Sequence, residues 1–369
     1  MIDVDRETRA VLDRFGFDEP LFESLRARVA AGELSPETNL VRGEIEPPAP
    51  GDITRLPASE EPGYDDAREA GLEALARNEV AQVILAGGMA TRFGGVVKAV
   101  LTAVDGKSFL EAKLDQTAAL EERLGCRIPA ALMTSFATDD AIRAHVAEQE
   151  LGQPLVFNQF VSLRLEASGE LFRDAEGHAS LYAPGHGDLF QALRHSGTLT
   201  ALRQLGARTV TISNVDNLGA RVDPAVVGSH LLAGKPLTCE VARKEGDMGG
   251  APVRIDGRLQ LVEGPRFPRS FDQGLAPVFN TNTALFDIDA LDVDYDLTWL
   301  YVEKAVEDRT AVQLERLYHE ASALVPTQYL EVPRRGPRGR FSPIKTPADL
   351  ERAQDDLREL VSADPLADG

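Results

Sequence analysis

The chain has 369 residues, of which 59 are acidic and 39 are basic, so its formal net charge at pH 7 is −20. This charge would repel phosphate backbones, which excludes nucleic acid and anionic membrane surfaces as expected partners. Two cysteines, Cys126 and Cys239, are too few for a disulfide framework or a cysteine zinc site, and they are typical of a reducing compartment. The chain shows neither a signal-peptide pattern nor an apolar run long enough to span a bilayer, so we expect a soluble, cytoplasmic protein.

The first part of the chain predicts helices and then an extended connector. Residues 1–38 carry apolar positions, such as Leu12 and Leu21, at helical spacing. Prolines and glycines between residues 44 and 63 exclude a regular helix there. Helical spacing returns at residues 65–78, directly before the first predicted strand.

The most informative segment is residues 83–95, where an apolar run typical of a buried strand ends in Gly87 and Gly88. Arg92 and Lys98 follow within a few residues. Glycines bring backbone amides close to a ligand, such amides favour phosphate, and the two cations add the charge that a triphosphate needs. The segment is neither a Walker loop nor a GxGxxG dinucleotide fingerprint. The alternative is an ordinary glycine-rich turn between a strand and a helix.

Beyond this loop, strands and helices alternate. The pattern predicts strands at residues 82–86, 130–133, 155–157 and 209–212, and helices at residues 108–124, 138–150, 188–205 and 224–233. Between residues 237 and 286 we expect shorter strands and turns, with a hairpin at Asp256 and Gly257. This order predicts an α/β fold of three layers around a mainly parallel, mixed, Rossmann-like sheet. Ligands of such sheets bind beyond the carboxyl ends of the strands.

Two later segments place polar residues next to these predicted elements. Residues 183–188 contain two glycines that permit close backbone approach, His186 that could contact a phosphate or sugar, and Asp188 as a helix N-cap. Asp216 follows a predicted buried strand, where a carboxylate could hold Mg²⁺ against phosphates. The alternatives are a structural loop histidine and a turn closed by Asx hydrogen bonds.

Two more segments could bind a ligand or could be an ordinary turn or loop. Asn280 and Asn282 carry amides that suit sugar hydroxyls, although asparagine pairs also occur in ordinary turns. Residues 334–345 are basic in a very acidic chain. Lys345 and some of these arginines could neutralise pyrophosphate, and the alternative is a solvated, flexible loop.

Taken in chain order, these segments resemble the motifs of the UTP–glucose-1-phosphate uridylyltransferases, the eukaryotic-type UDP-sugar pyrophosphorylases. The similar segments are residues 85–91 (LAGGMAT for LNGGLGT), 132–136 (LMTSF for LMNSF), 157–159 (FNQ), 184–189 (PGHGDL for PGHGDI), 213–220 (SNVDNLGA for SNIDNLGA), 279–282 (FNTN) and 332–346. The resemblance spans about 270 residues, from residue 82 to residue 350, and implies a sheet of the nucleotide-diphospho-sugar transferase type.

The resemblance also implies a role for each matching residue. The uracil pocket would contain Gly87, Gly88, Met133, Gln159 and Gly185, and the hexose would be surrounded by Asn214, Gly250, Glu263, Asn280 and Asn282. His186 would lie at the phosphate and sugar, Lys98 and Lys345 would hold phosphates, and Asp216 would bind Mg²⁺.

The chain departs from the family pattern in three places. Ala90 stands where a glycine is usual, and Lys98 follows one residue earlier than in the eukaryotic enzymes, without their preceding proline. Arg92 resembles instead the arginine of the bacterial GxGTR sugar nucleotidyltransferases, which grips the triphosphate. The length of this chain leaves no room for the C-terminal β-helix domain of the eukaryotic enzymes, so we expect a monomer or a weak dimer.

These inferences predict an organisation and a reaction. We expect an N-terminal extension and connector at residues 1–78, a catalytic domain at residues 79–330 and a basic C-terminal segment at residues 331–369 that packs on it. The expected reaction is UTP plus a hexose 1-phosphate, foremost glucose 1-phosphate, giving a UDP-sugar and pyrophosphate by in-line displacement with Mg²⁺. Arg92, Lys98 and Lys345 would supply the catalytic positive charge.

Two alternatives remain at this point. One is the same reaction on N-acetylglucosamine or galactose 1-phosphate. The other is a non-catalytic UDP-sugar-binding protein. The presence of Lys98, Asp216 and Lys345 favours an enzyme, because binding alone has less need of a metal and two lysines.

Overall fold

A computed structural model describes residues 2–90, 93–247, 249–364 and 366. Its helices are α1 (Arg6–Arg14), α2 (Glu19–Ala30), α3 (Tyr64–Ala76), α4 (Phe109–Leu124), α5 (Asp139–Glu148), α6 (Leu189–His195), α7 (Thr198–Gln204), α8 (Pro224–Ala233), α9 (Pro347–Arg352) and α10 (Gln354–Ser362). Its strands are β1 (Ile45–Glu46), β2 (Ile53–Arg55), β3 (Val80–Leu85), β4 (Met89–Ala90), β5 (Val96–Val97), β6 (Thr102–Val104), β7 (Lys107–Ser108), β8 (Ala130–Thr134), β9 (Leu155–Asn158), β10 (Ser162–Leu163), β11 (Leu181–Tyr182), β12 (Thr209–Asn214), β13 (Leu237–Arg243), β14 (Ala251–Ile255), β15 (Arg258–Val262), β16 (Val278–Asp287), β17 (Leu300–Val306), β18 (Arg309–Glu315) and β19 (Thr327–Glu331).

Eight of these strands form the central sheet, in the order β2-β19-β13-β16-β12-β3-β8-β9. Strands β3, β8, β9 and β12 pair in parallel, as do β2, β13 and β19. Strand β16 lies antiparallel between β12 and β13 and joins the two parallel groups. This arrangement confirms the predicted α/β fold with a mainly parallel, mixed sheet.

Helices cover both faces of the sheet. Val83 of β3 belongs to a buried cluster that contains Leu189 and Leu193 of α6. The next residue, Ile84, packs on the other face with Phe109 and Leu110 of α4. Because successive side chains of a strand point to opposite faces, this alternation produces the three predicted layers.

The N-terminal helices α1 and α2 pack away from the central sheet. Leu12 and Phe22 belong to a cluster with Val312 and Leu314 of the β17–β18 ribbon. Leu21, which the sequence places on the apolar face, is instead 36% exposed. Among the described residues, no helix combines the length and apolar character needed to cross a bilayer.

The structure differs from the sequence prediction in three elements. The helix predicted at residues 188–205 is two helices, because Gly197, with φ at 74°, ends one and begins the next. The connector at residues 44–63 contributes β2, an edge strand of the central sheet. The middle segment contains the ten-residue β16 at the centre of the sheet, where only short strands were expected. The predicted hairpin at Asp256 and Gly257 joins β14 to β15 and is confirmed.

Candidate active site

A cavity of about 400 Å³ lies at the carboxyl ends of β3, β8, β9 and β12. It is lined by Leu85, Gly87, Gly88, Met89, Lys98, Met133, Gln159, Ala183, Gly185, His186, Asn214, Val215 and Asp216. The structure therefore brings together all five residues predicted for the uracil pocket with His186, Asn214, Lys98 and Asp216. Arg92, one of the predicted catalytic residues, lies outside the described residues.

The glycine turn after β3 packs directly on a side-chain amide. A Cβ atom at Gly87 would lie 2.4 Å from Nε2 of Gln159, so the glycine permits the close approach seen here. The Ser135 hydroxyl donates to the Gly87 carbonyl at 2.9 Å, and the Gln159 backbone N–H donates to the Thr134 carbonyl at 2.9 Å. These bonds hold the backbone on both sides of the contact, and the Gln159 side chain places a primary amide, which both donates and accepts, beside the turn.

Lys98 and Asp216 form an ion pair inside the cavity. Their side chains are 19% and 13% exposed, so the pair is held largely away from solvent. Val215 joins the end of β12 to β3, because its N–H donates to the Leu85 carbonyl at 3.1 Å. One carboxylate that lines a cavity is a donor set with which proteins commonly hold Mg²⁺ together with substrate oxygens, so the residues present fit this ion.

His186 is neutral in the folded protein, since burial lowers its pKa to about 4. Its Nδ1 accepts from the Tyr318 backbone N–H at 3.2 Å. A neutral imidazole that accepts at Nδ1 carries its proton on Nε2. His186 is therefore a hydrogen-bond donor to whatever occupies the cavity, without adding a positive charge.

The loop at residues 183–188 rests on Arg316 at the end of β18. The Gly187 N–H donates to the Arg316 carbonyl at 2.8 Å, and a Cβ atom at Gly185, where φ is 92°, would lie 2.9 Å from the same oxygen. The Asp188 carboxylate makes no capping bond to α6, contrary to the sequence prediction. It accepts instead from the Arg316 guanidinium at 2.7 Å and from the Phe160 N–H at 3.2 Å.

The residues predicted to surround the hexose form one chain of hydrogen bonds. Asn282 Nδ2 donates to Asn214 Oδ1 at 2.9 Å, and the Asn282 N–H donates to Asn280 Oδ1 at 3.0 Å. Asn280 Nδ2 in turn donates to Glu263 Oε1 at 3.0 Å. The Asn280 N–H donates to the Gly250 carbonyl at 2.7 Å, and a Cβ atom at Gly250 would lie 2.7 Å from the Glu263 carboxylate. The array thus extends from the cavity along β16.

The two asparagines lie on a strand rather than in a turn. The β13–β16 register shifts after Glu240, and Asn282 adopts a φ of 60° at this irregularity. Such bulges redirect a side chain at the edge of a site. Burial raises the pKa of Glu263, and the hydrogen bond from Asn280 opposes this shift.

The basic segment at residues 334–345 is largely bonded to the protein itself. Arg340 is buried and donates to both carboxylate oxygens of Glu240, at 2.6 and 2.7 Å. Arg334 donates to Asp247 at 2.6 and 3.0 Å. These two arginines are committed to ion pairs, which contradicts a solvated loop and argues against their role in neutralising pyrophosphate.

Lys345 does not line the same cavity. It is exposed and contributes to a neighbouring groove of about 440 Å³ that also contains Asp247 and Arg334. The segment before it is nevertheless pinned beside Asp216, because Asn217 accepts from the Ser342 N–H at 3.0 Å and donates to the Arg340 carbonyl at 3.0 Å. Its predicted role at the phosphates stays a prediction.

Lys113 is a residue that the sequence analysis missed. It is buried, and its ammonium donates to the carbonyls of Asn217 and Ala220 at 2.8 and 3.0 Å. It thereby holds the loop that carries Asp216. In the sequence, Lys113 stands out only because lysines are few and because it lies in a predicted helix. Neither property predicts that its ammonium bonds the loop that carries Asp216.

Comparison with known proteins places this site in a family. The family model for UTP–glucose-1-phosphate uridylyltransferase matches residues 22–364. The chain belongs to this family. The enzyme of that name from Musa acuminata is 31% identical over 300 residues, which cover 77% of this chain and 64% of the relative. The one from Saccharomyces cerevisiae is 27% identical over 350 residues, covering 89% and 68%.

Solved structures show the same fold. A mutant of UDP-glucose pyrophosphorylase from Leishmania major, in complex with UDP-glucose, superposes with a TM-score of 0.72 at 25% identity and covers 90% of this chain and 74% of that one. The UDP-N-acetylglucosamine pyrophosphorylase from Trypanosoma brucei gives a TM-score of 0.76 at 19% identity and covers 94% and 79%. The family member described here spans about three fifths of the length of the plant relatives that it matches.

Proposed function

We propose that this protein is a UTP-dependent sugar-1-phosphate uridylyltransferase that converts UTP and glucose 1-phosphate to UDP-glucose and pyrophosphate. The observation that carries the proposal is the continuity of the site. The Gln159 amide, the Lys98–Asp216 pair and His186 line one cavity, and Asn214 connects that cavity to the amide array of β16. Synthesis of a nucleotide sugar needs groups that bind the base, groups that bind the phosphates and groups that bind the sugar hydroxyls, and this site offers candidates for all three.

The proposed chemistry is a direct displacement at the α-phosphorus of UTP. An oxygen of the sugar phosphate attacks in line, the bond to the leaving pyrophosphate breaks, and no covalent enzyme intermediate is required. Catalysis is then positioning and neutralisation of the charge that moves onto pyrophosphate. Lys98 supplies a positive charge and His186 an uncharged donor; Arg92 and Lys345 belong to the proposal as further cations.

Asp216 would hold Mg²⁺ in this proposal, and the ion would stabilise negative charge on the phosphate oxygens. The Lys98–Asp216 pair supports this assignment, because the carboxylate already lies among the groups that face the phosphates. Lys98 then serves both to orient the carboxylate and to bind a phosphate oxygen.

The amide side chains along β16 suit the hydroxyl groups of a neutral hexose. Hydroxyl groups both donate and accept, and so do the amides of Asn280 and Asn282. The relatives named for glucose 1-phosphate support the same choice. We further expect a monomer or a weak dimer in the cytoplasm.

A pyrophosphate-release assay tests the proposal. UTP, CTP, ATP and GTP are each combined with glucose, N-acetylglucosamine and galactose 1-phosphates in the presence of Mg²⁺. We expect turnover with UTP and glucose 1-phosphate, and we expect Gln159→Ala to erode the preference for UTP. Gln153→Ala, at an exposed glutamine of the opposite end of the sheet, is the matched control. Equal turnover of all four triphosphates, or release with none of them, contradicts the proposal.

A further inference from the structure

A second cavity, of about 370 Å³, lies against the same loop that forms one wall of the candidate active site. Pro184 and Asp188 line this second cavity, whereas Gly185 and His186 line the first. Five consecutive residues therefore form a partition with a cavity on either side. The volume of the second cavity is within the range of small-molecule pockets in proteins.

Arg316 lines the second cavity and is hydrogen-bonded to the loop that separates the two cavities. Its side chain lines the cavity and donates to Asp188 at 2.7 Å. Its backbone N–H donates to the Pro184 carbonyl at 2.8 Å, and its carbonyl accepts from the Gly187 N–H at 2.8 Å. A ligand that moves or fixes Arg316 must therefore act on the loop that carries His186.

Two guanidinium groups of this cavity have donors left over. Arg316 Nε and Arg194 Nη1 are buried and, among the described residues, neither has a hydrogen-bond partner. The Arg316 side chain as a whole is only 10% exposed. Buried N–H groups without acceptors are costly, so a ligand that places an acceptor oxygen at these two groups would gain hydrogen bonds that the described residues do not make.

The walls of the cavity define the rest of that ligand. Phe17, Phe22, Phe160 and Trp299 supply aromatic surface, and the Arg316 guanidinium lies 4.2 Å from the Trp299 ring centroid. Rings of this kind pack best against a flat aromatic molecule. The cavity combines an apolar, aromatic wall with the two arginine side chains.

The charges of the lining exclude a polyanion. The lining contains Asp18, Asp188 and Asp294 besides the two arginines, so it carries no excess positive charge. Asp188 is bonded to Arg316, and Asp294 pairs with Arg194 at 2.5 Å. An uncharged carbonyl can accept from the remaining N–H groups without meeting repulsion from these carboxylates.

We propose that the second cavity is an effector site for an uncharged aromatic or heteroaromatic molecule that carries a carbonyl oxygen. The effect on catalysis rests on the proposed function, whereas the binding site itself does not. The ligand accepts from Arg316, fixes the guanidinium that bonds Asp188, and so orders the loop at Gly185 and His186. Because coupling between two sites is reciprocal, a nucleotide sugar in the first cavity tightens the effector by the same factor.

Ligand-observed NMR with benzamide, nicotinamide and indole-3-carboxamide tests the binding site. Benzene-1,3,5-tricarboxylate serves as the charged comparison. We expect saturable binding of at least one of the amides and weaker binding of the tricarboxylate. Leu21→Trp fills the cavity from its exposed position on α2 and abolishes amide binding, whereas Leu232→Trp, at an exposed position on α8, retains it.

Amide affinity is then measured with and without UDP-glucose. We expect UDP-glucose to tighten the amide about fivefold or more. Amide binding that Leu21→Trp leaves unchanged, or no amide binding in the folded protein, overturns the site. Tighter binding of the tricarboxylate overturns the ligand class, and amide affinity unchanged by bound UDP-glucose overturns the coupling. A failed pyrophosphate-release assay with intact, Leu21-dependent amide binding refutes the proposed function alone.

Discussion

Glu240→Gln tests how the C-terminal segment is anchored. The Glu240 side chain is 0% exposed and that of Arg340 is 3% exposed. The carboxylate accepts from Arg340 Nε at 2.7 Å and from Nη2 at 2.6 Å, which is the two-pronged geometry of the strongest ion pairs. The substitution keeps the size of the side chain and removes its charge.

The expected loss follows from the charge that remains. Removing one partner of a buried pair typically costs about 3–5 kcal/mol, because the other charge stays buried without compensation. Asp223 lies 3.9 Å from Arg340 and compensates part of that charge. We therefore expect the free energy of unfolding of Glu240→Gln to fall by about 3 kcal/mol, at the lower end of that range.

Urea denaturation followed by circular dichroism measures this loss. Glu331→Gln is the matched control, since Glu331 of the adjacent strand β19 pairs with Arg243, whose side chain is 63% exposed. Surface pairs of this kind contribute about 0–1 kcal/mol. Equal destabilisation by the two substitutions would refute the view that the buried pair anchors the segment.

Substitutions at three further residues separate the roles of the charged side chains. Burial lowers the pKa of Lys113 from 10.5 to about 7, so the unfolded chain binds more protons than the folded one between these values. The contribution of Lys113 to the free energy of unfolding therefore rises from pH 7 towards pH 10, by up to about 1.4 kcal/mol per pH unit, and Lys113→Met should lose this slope in urea titrations at pH 7, 8 and 9. An unchanged slope would contradict the burial of the ammonium. Asp216→Asn should reduce Mg²⁺-dependent turnover at least about 100-fold while the protein stays folded, because Lys98 faces the cavity, where water can solvate it. A large fall in stability with normal specific activity would make Asp216 a turn residue only. Lys345→Ala should lower turnover by roughly two to three orders of magnitude with little effect on stability, and Lys345→Arg should restore part of it. Lys304→Ala, at another exposed lysine, is the control, and normal kcat and KM in Lys345→Ala would remove Lys345 from the mechanism.

Elements with local signals were predicted closely. Helix α8 begins at Pro224, after Asp223 caps two backbone N–H groups, and ends before Gly234 in the left-handed conformation. Helix α4 begins with a capping box between Ser108 and Glu111. These signals lie within a few residues of the helix end that they determine, so the sequence alone reveals them.

Elements that depend on distant partners were not predicted. Strand β2 follows a segment rich in proline and glycine, and only its pairing with β19, more than 270 residues later, makes it a strand. The central place of β16 depends in the same way on β12 and β13. Pairing between segments far apart in the chain leaves no periodic signal in either of them, which is why the pattern gave only short strands there.

The site shows the same division. Glycines and polar residues at the ends of β3, β8, β9 and β12 follow apolar runs, and parallel strands bring those ends to one edge. The position of Lys345 is different, because it depends on Arg340 meeting Glu240 on a strand 100 residues earlier. The basic composition of residues 334–345 identified the segment as unusual. Its anchoring partner, Glu240, could not be identified from the sequence, because it is one of 59 acidic residues.

Buried lysine and arginine side chains hold the segments behind the candidate site in place. Lys113, Arg221 and Arg340 are all buried behind the loop that carries Asp216. Lys113 donates to that loop at Asn217, and the Arg340 carbonyl accepts from the same asparagine. Fixed positive groups in a region of low dielectric constant act more strongly on a nearby phosphate than exposed charges screened by water. Lys98, whose side chain is 19% exposed, lines the cavity, so a phosphate there would meet a local positive group although the net charge of the chain is −20.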